Sequence, residues 1–156
     1  MRKKAAKLRT IFLCLCLSMI CVISTAQTTQ RSLLLVCSDN GKLESLSHAD
    51  VRKLFLGVRI FNDQVRLKPM LNSTDSLIME VFLQQVVFMS KRQYERQALS
   101  RVFRLGDQRP PVYDNIDVLV EDLLNTPGSV SYIWSEQFEN QTGLKSLGVL
   151  WTGSNN

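Results

Sequence analysis

Apolar residues recur along this chain with two periods, and the alternation between them predicts its elements. Leu33–Cys37 is a continuous apolar run closed by Ser38-Asp39-Asn40-Gly41, which predicts a strand buried on both faces. Ser47, with Asp50 three residues on, predicts a capped helix start. Val51, Leu54 and Phe55 give that helix one apolar face, and Gly57 ends it. Val65–Leu71 then alternates apolar and basic residues, as a strand does, with Pro69 marking an edge or an end. Next comes a cluster of cap-forming residues, Asn72-Ser73-Thr74-Asp75-Ser76, which leads into a helix with Leu77, Ile78, Val81, Phe82 and Val86 on one face.

Ser90 and Gln93 form a second capping-box pattern, starting a helix whose apolar residues are Tyr94, Ala98, Leu99, Val102 and Phe103. Gly106 stops that helix, and Gln108–Pro111 is a turn or an extended linker. Asp114 or Asn115 caps a further helix with the stripe Ile116, Leu119, Val120, Leu123 and Leu124, and Thr126-Pro127-Gly128 ends it. Val130–Trp134 and Leu147–Trp151 read as strands joined by a polar, partly helical stretch around Glu136–Gly143. Strands alternating with helices predict an α/β fold, a single three-layer lobe with a mostly parallel sheet.

The N-terminal segment changes how the composition is read. Residues 1–9 carry five positive charges and no acid, Ile11–Ile23 is almost wholly apolar, and Ser24-Thr25-Ala26 offers small residues before Gln27. This is the layout of a cleaved secretory signal peptide over residues 1–26, leaving a domain over residues 27–156. A membrane anchor is the alternative, but the apolar run is shorter than the roughly 20 residues a bilayer-spanning helix needs. The formal charge of +5, from 19 Lys+Arg against 14 Asp+Glu, then falls to zero, because the five basic residues leave with the signal. Cys14, Cys16 and Cys21 leave too. Cys37 alone remains, so neither an intrachain disulfide nor a Cys-rich metal site is expected. Its place in an apolar run predicts a buried strand residue.

Candidate chemistry is sparse. His48 is the only histidine and falls at a helix start, with no pattern of a triad or metal site around it. The sequence contains no Gly-rich phosphate loop, and no enzymatic activity or cofactor is expected. Lys91, Arg92, Arg96, Arg101, Arg104 and Arg109 cluster together, but their aromatic neighbours Tyr94 and Phe103 belong to the apolar stripe. A solvated helix face is the first expectation for this stretch, an acidic partner or membrane surface the next, and nucleic acid is not expected. Asn72–Ser76 is the most suggestive site: hydroxyls and free backbone N–H groups at a strand-to-helix junction suit a small anion. Simple capping is the competing reading, and Asp75 favours it, since its carboxylate both caps the helix and repels an anion.

Several separated segments together resemble phosphate ABC-transporter substrate-binding proteins, of type 2 periplasmic-binding-protein-like fold. They are Leu46-Ser47 with Lys53–Gly57, the hydroxyl-rich helix start followed by Phe82, Phe103 with Gly106 and Pro110-Pro111, and Thr126–Ile133. The resemblance implies a short, single-lobe member located in the periplasm, with phosphate or another small anion at Asn72, Ser73, Thr74 and Ser76. It also implies a membrane transporter or sensor component as partner. The family's turn reads approximately R-x-x-G-S-G-T. Here Asn72 stands at its Arg, and Leu77 and Ile78 stand at its Gly and Thr. Ser131 replaces a Gly of the strand motif. An Arg fork grips phosphate strongly and an Asn does not. The departures therefore imply either weak anion binding or a lobe kept as an interaction module.

Overall fold

The computed structural model describes residues 30–154, and the expected signal segment lies outside them. β1 (Gln30–Ser38) runs through the middle of a four-stranded sheet and leads by a loop to α1 (His48–Phe55). The hairpin β2 (Phe61–Asn62) and β3 (Val65–Arg66) follows, then the short strands β4 (Lys68–Pro69) and β5 (Leu71–Asn72). α2 (Ser76–Phe82) continues as a π-helical turn over Leu83–Val87, and α3 (Lys91–Leu105) comes next. β6 (Val112–Tyr113), α4 (Ile116–Asn125), β7 (Ser129–Trp134), α5 (Ser135–Glu139) and β8 (Leu144–Ser154) complete the chain.

The α/β lobe has three layers, as the periodicity implies. Leu33, Leu35 and Cys37 of β1 and Val130, Tyr132 and Trp134 of β7 face one apolar cluster, built with Val51, Leu54 and Phe55 of α1 and Ile78 and Phe82 of α2. The alternate residues Val36 and Ile133 face a smaller cluster under α4, with Leu119, Val120 and Leu123. Period-2 alternation thus sends successive residues of β1 and β7 to opposite layers, which is why both strands are apolar along their length. Cys37 is buried, as expected, and burial pushes its thiol up from the ordinary value.

The sheet corrects the expectation of mostly parallel pairing. Its order is β4-β7-β1-β8, and β4 pairs with β7 in parallel, but β1 runs antiparallel to both β7 and β8. β4, β7 and β8 share one direction, and β1 opposes them. The β2–β3 hairpin supplies the reason: it adds a reversal to the connection between β1 and β4, which a single crossover helix would have left parallel. Asp63 and Gln64 make its two-residue turn with positive φ of 45° and 72°, the left-handed pair such hairpins require. The expected strand Val65–Leu71 is therefore three short strands, and Pro69 does lie in an edge strand, β4.

Three helix starts match their sequence signals. Ser47 Oγ accepts from Asp50 N at 3.1 Å, Ser90 and Gln93 form a reciprocal capping box, and Asn115 rather than Asp114 caps α4. α3 departs from expectation in its packing. Tyr94 is its only buried residue among those described, while Leu99 is 44% and Phe103 81% exposed. The helix is anchored instead by Tyr94, whose hydroxyl donates to Phe55 O at 2.9 Å, and by Arg101, which donates to Gly57 O at 2.7 Å.

Candidate functional site

The sheet's direction determines where a site belongs. β4 and β7 run in parallel and deliver Asn72–Ser76 and Trp134–Gln137 to the same end of the lobe. The crevice outside the carboxyl ends of parallel strands is where open α/β sheets bind ligands.

Asn72 is completely buried and belongs to the framework. Its Nδ2 donates to Tyr132 O at 2.9 Å, and its Oδ1 accepts from Thr74 N at 2.9 Å. Its carbonyl accepts from the Tyr132 hydroxyl at 2.9 Å. The first and third of these bonds tie the turn to β7, the second closes the turn on itself, and complete burial withholds the amide side chain from a ligand. Ser73 faces β6, where its N–H donates to Tyr113 O at 2.7 Å and its hydroxyl donates to the same oxygen at 3.0 Å. Thr74 Oγ1 accepts from Gln137 Nε2 at 3.3 Å, and Gln137 Oε1 accepts from Trp134 N at 3.1 Å, so one side chain fastens the turn to the start of α5. Ser76, the first residue of α2, is exposed.

Asp75 occupies the centre of this arrangement. One carboxylate oxygen accepts from Leu77 N and from Ile78 N, both at 2.7 Å, capping α2. The other accepts from the Trp134 indole N–H at 2.7 Å. The partial positive end of the helix is thus matched by a carboxylate belonging to the chain itself. Arg31 lies beside this group, with its guanidinium 4.4 Å from the centre of the Trp134 ring and its Nε 2.8 Å from Glu136 Oε1. Burial pushes the Glu136 carboxyl up, but the hydrogen bond and charge of Arg31 outweigh it and leave it below the usual carboxylate range. Two carboxylates against one guanidinium give the rim an acidic balance.

The structure therefore gathers Asn72, Ser73, Thr74 and Ser76 into one turn, as the sequence implies, and adds Tyr113, Tyr132, Trp134 and Gln137. These four are 40 to 63 residues away in sequence. The buried end of a strand at Trp134, whose indole N–H needs an acceptor, was the one signal available for them. His48 sits at the first position of α1, exposed, its Nε2 3.2 Å from Val149 O. Among the described residues no group of three or more His, Cys, Asp or Glu is placed to hold a metal ion.

The α/β fold is similar to that of two solved proteins, one of them described as a possible phosphate binding protein. PstS from Borrelia burgdorferi matches with a TM-score of 0.57 and 16% identity, over 76% of this chain and 47% of that one. A possible phosphate binding protein from Planctomyces limnophilus matches with a TM-score of 0.53 and 19% identity, over 78% of this chain and 42% of its own. The matched region spans less than half the length of either protein. No protein-family model matches the sequence, and no curated protein matches it significantly.

Proposed function

We propose that this chain is an exported, periplasmic substrate-binding-protein-like domain that serves transport or sensing by docking a membrane transporter or sensor component. The observation that carries this reading is Asp75, which takes up the N-terminal N–H groups of α2 and the Trp134 indole N–H. A turn already holding its own carboxylate has little to offer a free anion, which would meet repulsion from Asp75 and Glu136. PstS and the possible phosphate binding protein that share the fold support a setting in solute uptake or sensing. The basic, apolar and small-residue segments of residues 1–26 support export. Crosslinking in intact cells, followed by recovery of the chain from the envelope, should capture a membrane protein. Recovery of the chain alone would overturn the docking role.

A second reading has its own support in Ser76, an exposed hydroxyl residue at the first position of α2. Here phosphate or another small anion binds weakly at Ser73, Thr74 and Ser76, with Asn72 holding the turn beneath them. Calorimetric titration with phosphate separates the two readings. The docking role expects no heat at millimolar ligand, either in the native protein or after Asp75→Asn, which keeps a capping side chain but removes the charge. Saturable binding that strengthens in Asp75→Asn would establish the anion site instead.

A further inference from the structure

A cavity that shares no residue with the Asn72–Ser76 turn has the makings of a small-molecule site. It has a volume of about 350 Å3 and lies between the end of α1, the strand run from Arg66 to Met70, α3 and the Asp107–Pro111 segment. That volume falls within the range of roughly 300–1,000 Å3 typical of ligand pockets. Phe55 and Leu67, both buried in the same core cluster, give it an apolar floor. Arg66, Lys68, Arg101 and Arg109 border it, against the single acid Asp107.

These charges are not equivalent. Asp107 Oδ2 lies 2.6 Å from Arg101 Nη2, and its other oxygen lies 3.5 Å from Arg59, so its charge is already committed. Among the described residues, Arg66, Lys68 and Arg109 form no ion pair. The Tyr94 hydroxyl, which borders the cavity, is pushed up to about 12 by burial, with the Arg109 charge pulling against it.

The walls are also fixed in place. Arg101 is held against Gly57 O, and Gly57 has φ +88° with its missing Cβ position 2.5 Å from Arg101 Nε. Only a glycine allows that approach. Pro110 and Pro111 stiffen the opposite wall. A preformed cavity binds without first having to order its own loops.

We propose that this cavity binds a small organic anion, a compact apolar body bearing one carboxylate, with the body against Phe55 and Leu67 and the carboxylate at Lys68 and Arg109. A neutral apolar ligand would crowd the cations without compensating them, and an inorganic anion would leave the apolar floor unused. The site is independent of the docking role proposed above.

Amide NMR of the protein, titrated with hexanoate, hexanamide and inorganic phosphate, tests the assignment. Hexanoate should give saturable shifts at Ala98, Arg101 and Met70, with at least tenfold weaker binding of hexanamide and no saturable shift with phosphate. The double variant Lys68→Ala/Arg109→Ala changes two exposed side chains and should lower hexanoate affinity at least tenfold with an unchanged spectrum elsewhere. Equal binding of hexanamide would reduce the cavity to an apolar recess, and equal binding of phosphate would reduce it to a basic patch. Either result, an absence of hexanoate shifts, or shifts confined to Asn72–Ser76 overturns the proposal.

Discussion

Asp75 is the residue on which the candidate site turns, and its role can be measured as stability. Removing its carboxylate with Asp75→Ala leaves Leu77 N and Ile78 N uncapped and strands the indole N–H of Trp134, a residue only 1% exposed. Loss of the cap costs about 1 kcal/mol, and the unpaired indole adds roughly 1–2 kcal/mol. Asp75→Asn keeps an acceptor for the helix but turns an amide donor toward the indole, so it should recover only the cap, about 1 kcal/mol of that loss. Urea unfolding of the two variants checks this, and an Asp75→Ala midpoint equal to the native one would refute it. The sequence made Asp75 legible as a cap, because capping acts within three residues. It could not reveal Trp134 as the second partner, because that contact depends on how β7 lies against β5. The same holds for Asn72, which sequence grouped with the hydroxyls and which packing turned into a buried strut.

Among the elements, what is local was legible and what is lateral was not. The caps at Ser47 and Ser90 and the helix stop at Gly106 follow from residues within one turn of each other. The face that α3 buries depends on its neighbours, and hydrogen bonds from Tyr94 to Phe55 O and from Arg101 to Gly57 O tie it to the end of α1 and the turn beyond. Its apolar stripe therefore divides, with Tyr94 inside and Phe103 in solvent. Replacing Phe103 by Ser should accordingly change unfolding free energy by no more than about 0.5 kcal/mol. Gly128 is the opposite case. It enters β7 with φ +78°, and an added Cβ would come within 2.6 Å of Arg66 O, the backbone of β3. Gly128→Ala should cost about 2 kcal/mol or more, since the left-handed backbone is strained and backbone cannot rotate away as a side chain can. A thermal or urea series containing both variants tests the pair. Similar losses in the two would contradict this account of which contacts hold the elements together.

At the scale of the molecule, alternating strands and helices identified the three-layer lobe, whereas the reversed β1 depends on a hairpin that the sequence disguised as part of one strand. The layers meet at an aromatic junction. Phe82 stacks on Tyr132 with ring centres 3.7 Å apart, and Phe55 meets Phe82 edge-on at 4.6 Å, so α1, α2 and β7 are joined at one point. Tyr94 ties α3 to the same junction through Phe55 O. This makes tyrosine ionisation a report on global unfolding. The chain has three tyrosines. Burial pushes Tyr94 up to about 12 and Tyr132 higher still, and burial together with the Asp122 hydrogen bond pushes Tyr113 up to about 12. In the unfolded chain each titrates near 10. The folded protein thus retains protons that the unfolded chain releases, and the stability they confer is complete below about pH 10. It is lost as pH rises through about 12, because unfolding is then accompanied by proton release. Tyrosinate absorbance and circular dichroism, followed together through an alkaline titration, should change in one transition. Tyr94 or Tyr132 ionising near its ordinary value while the dichroism stays native would show that the aromatic junction does not shield its hydroxyls as the packing requires.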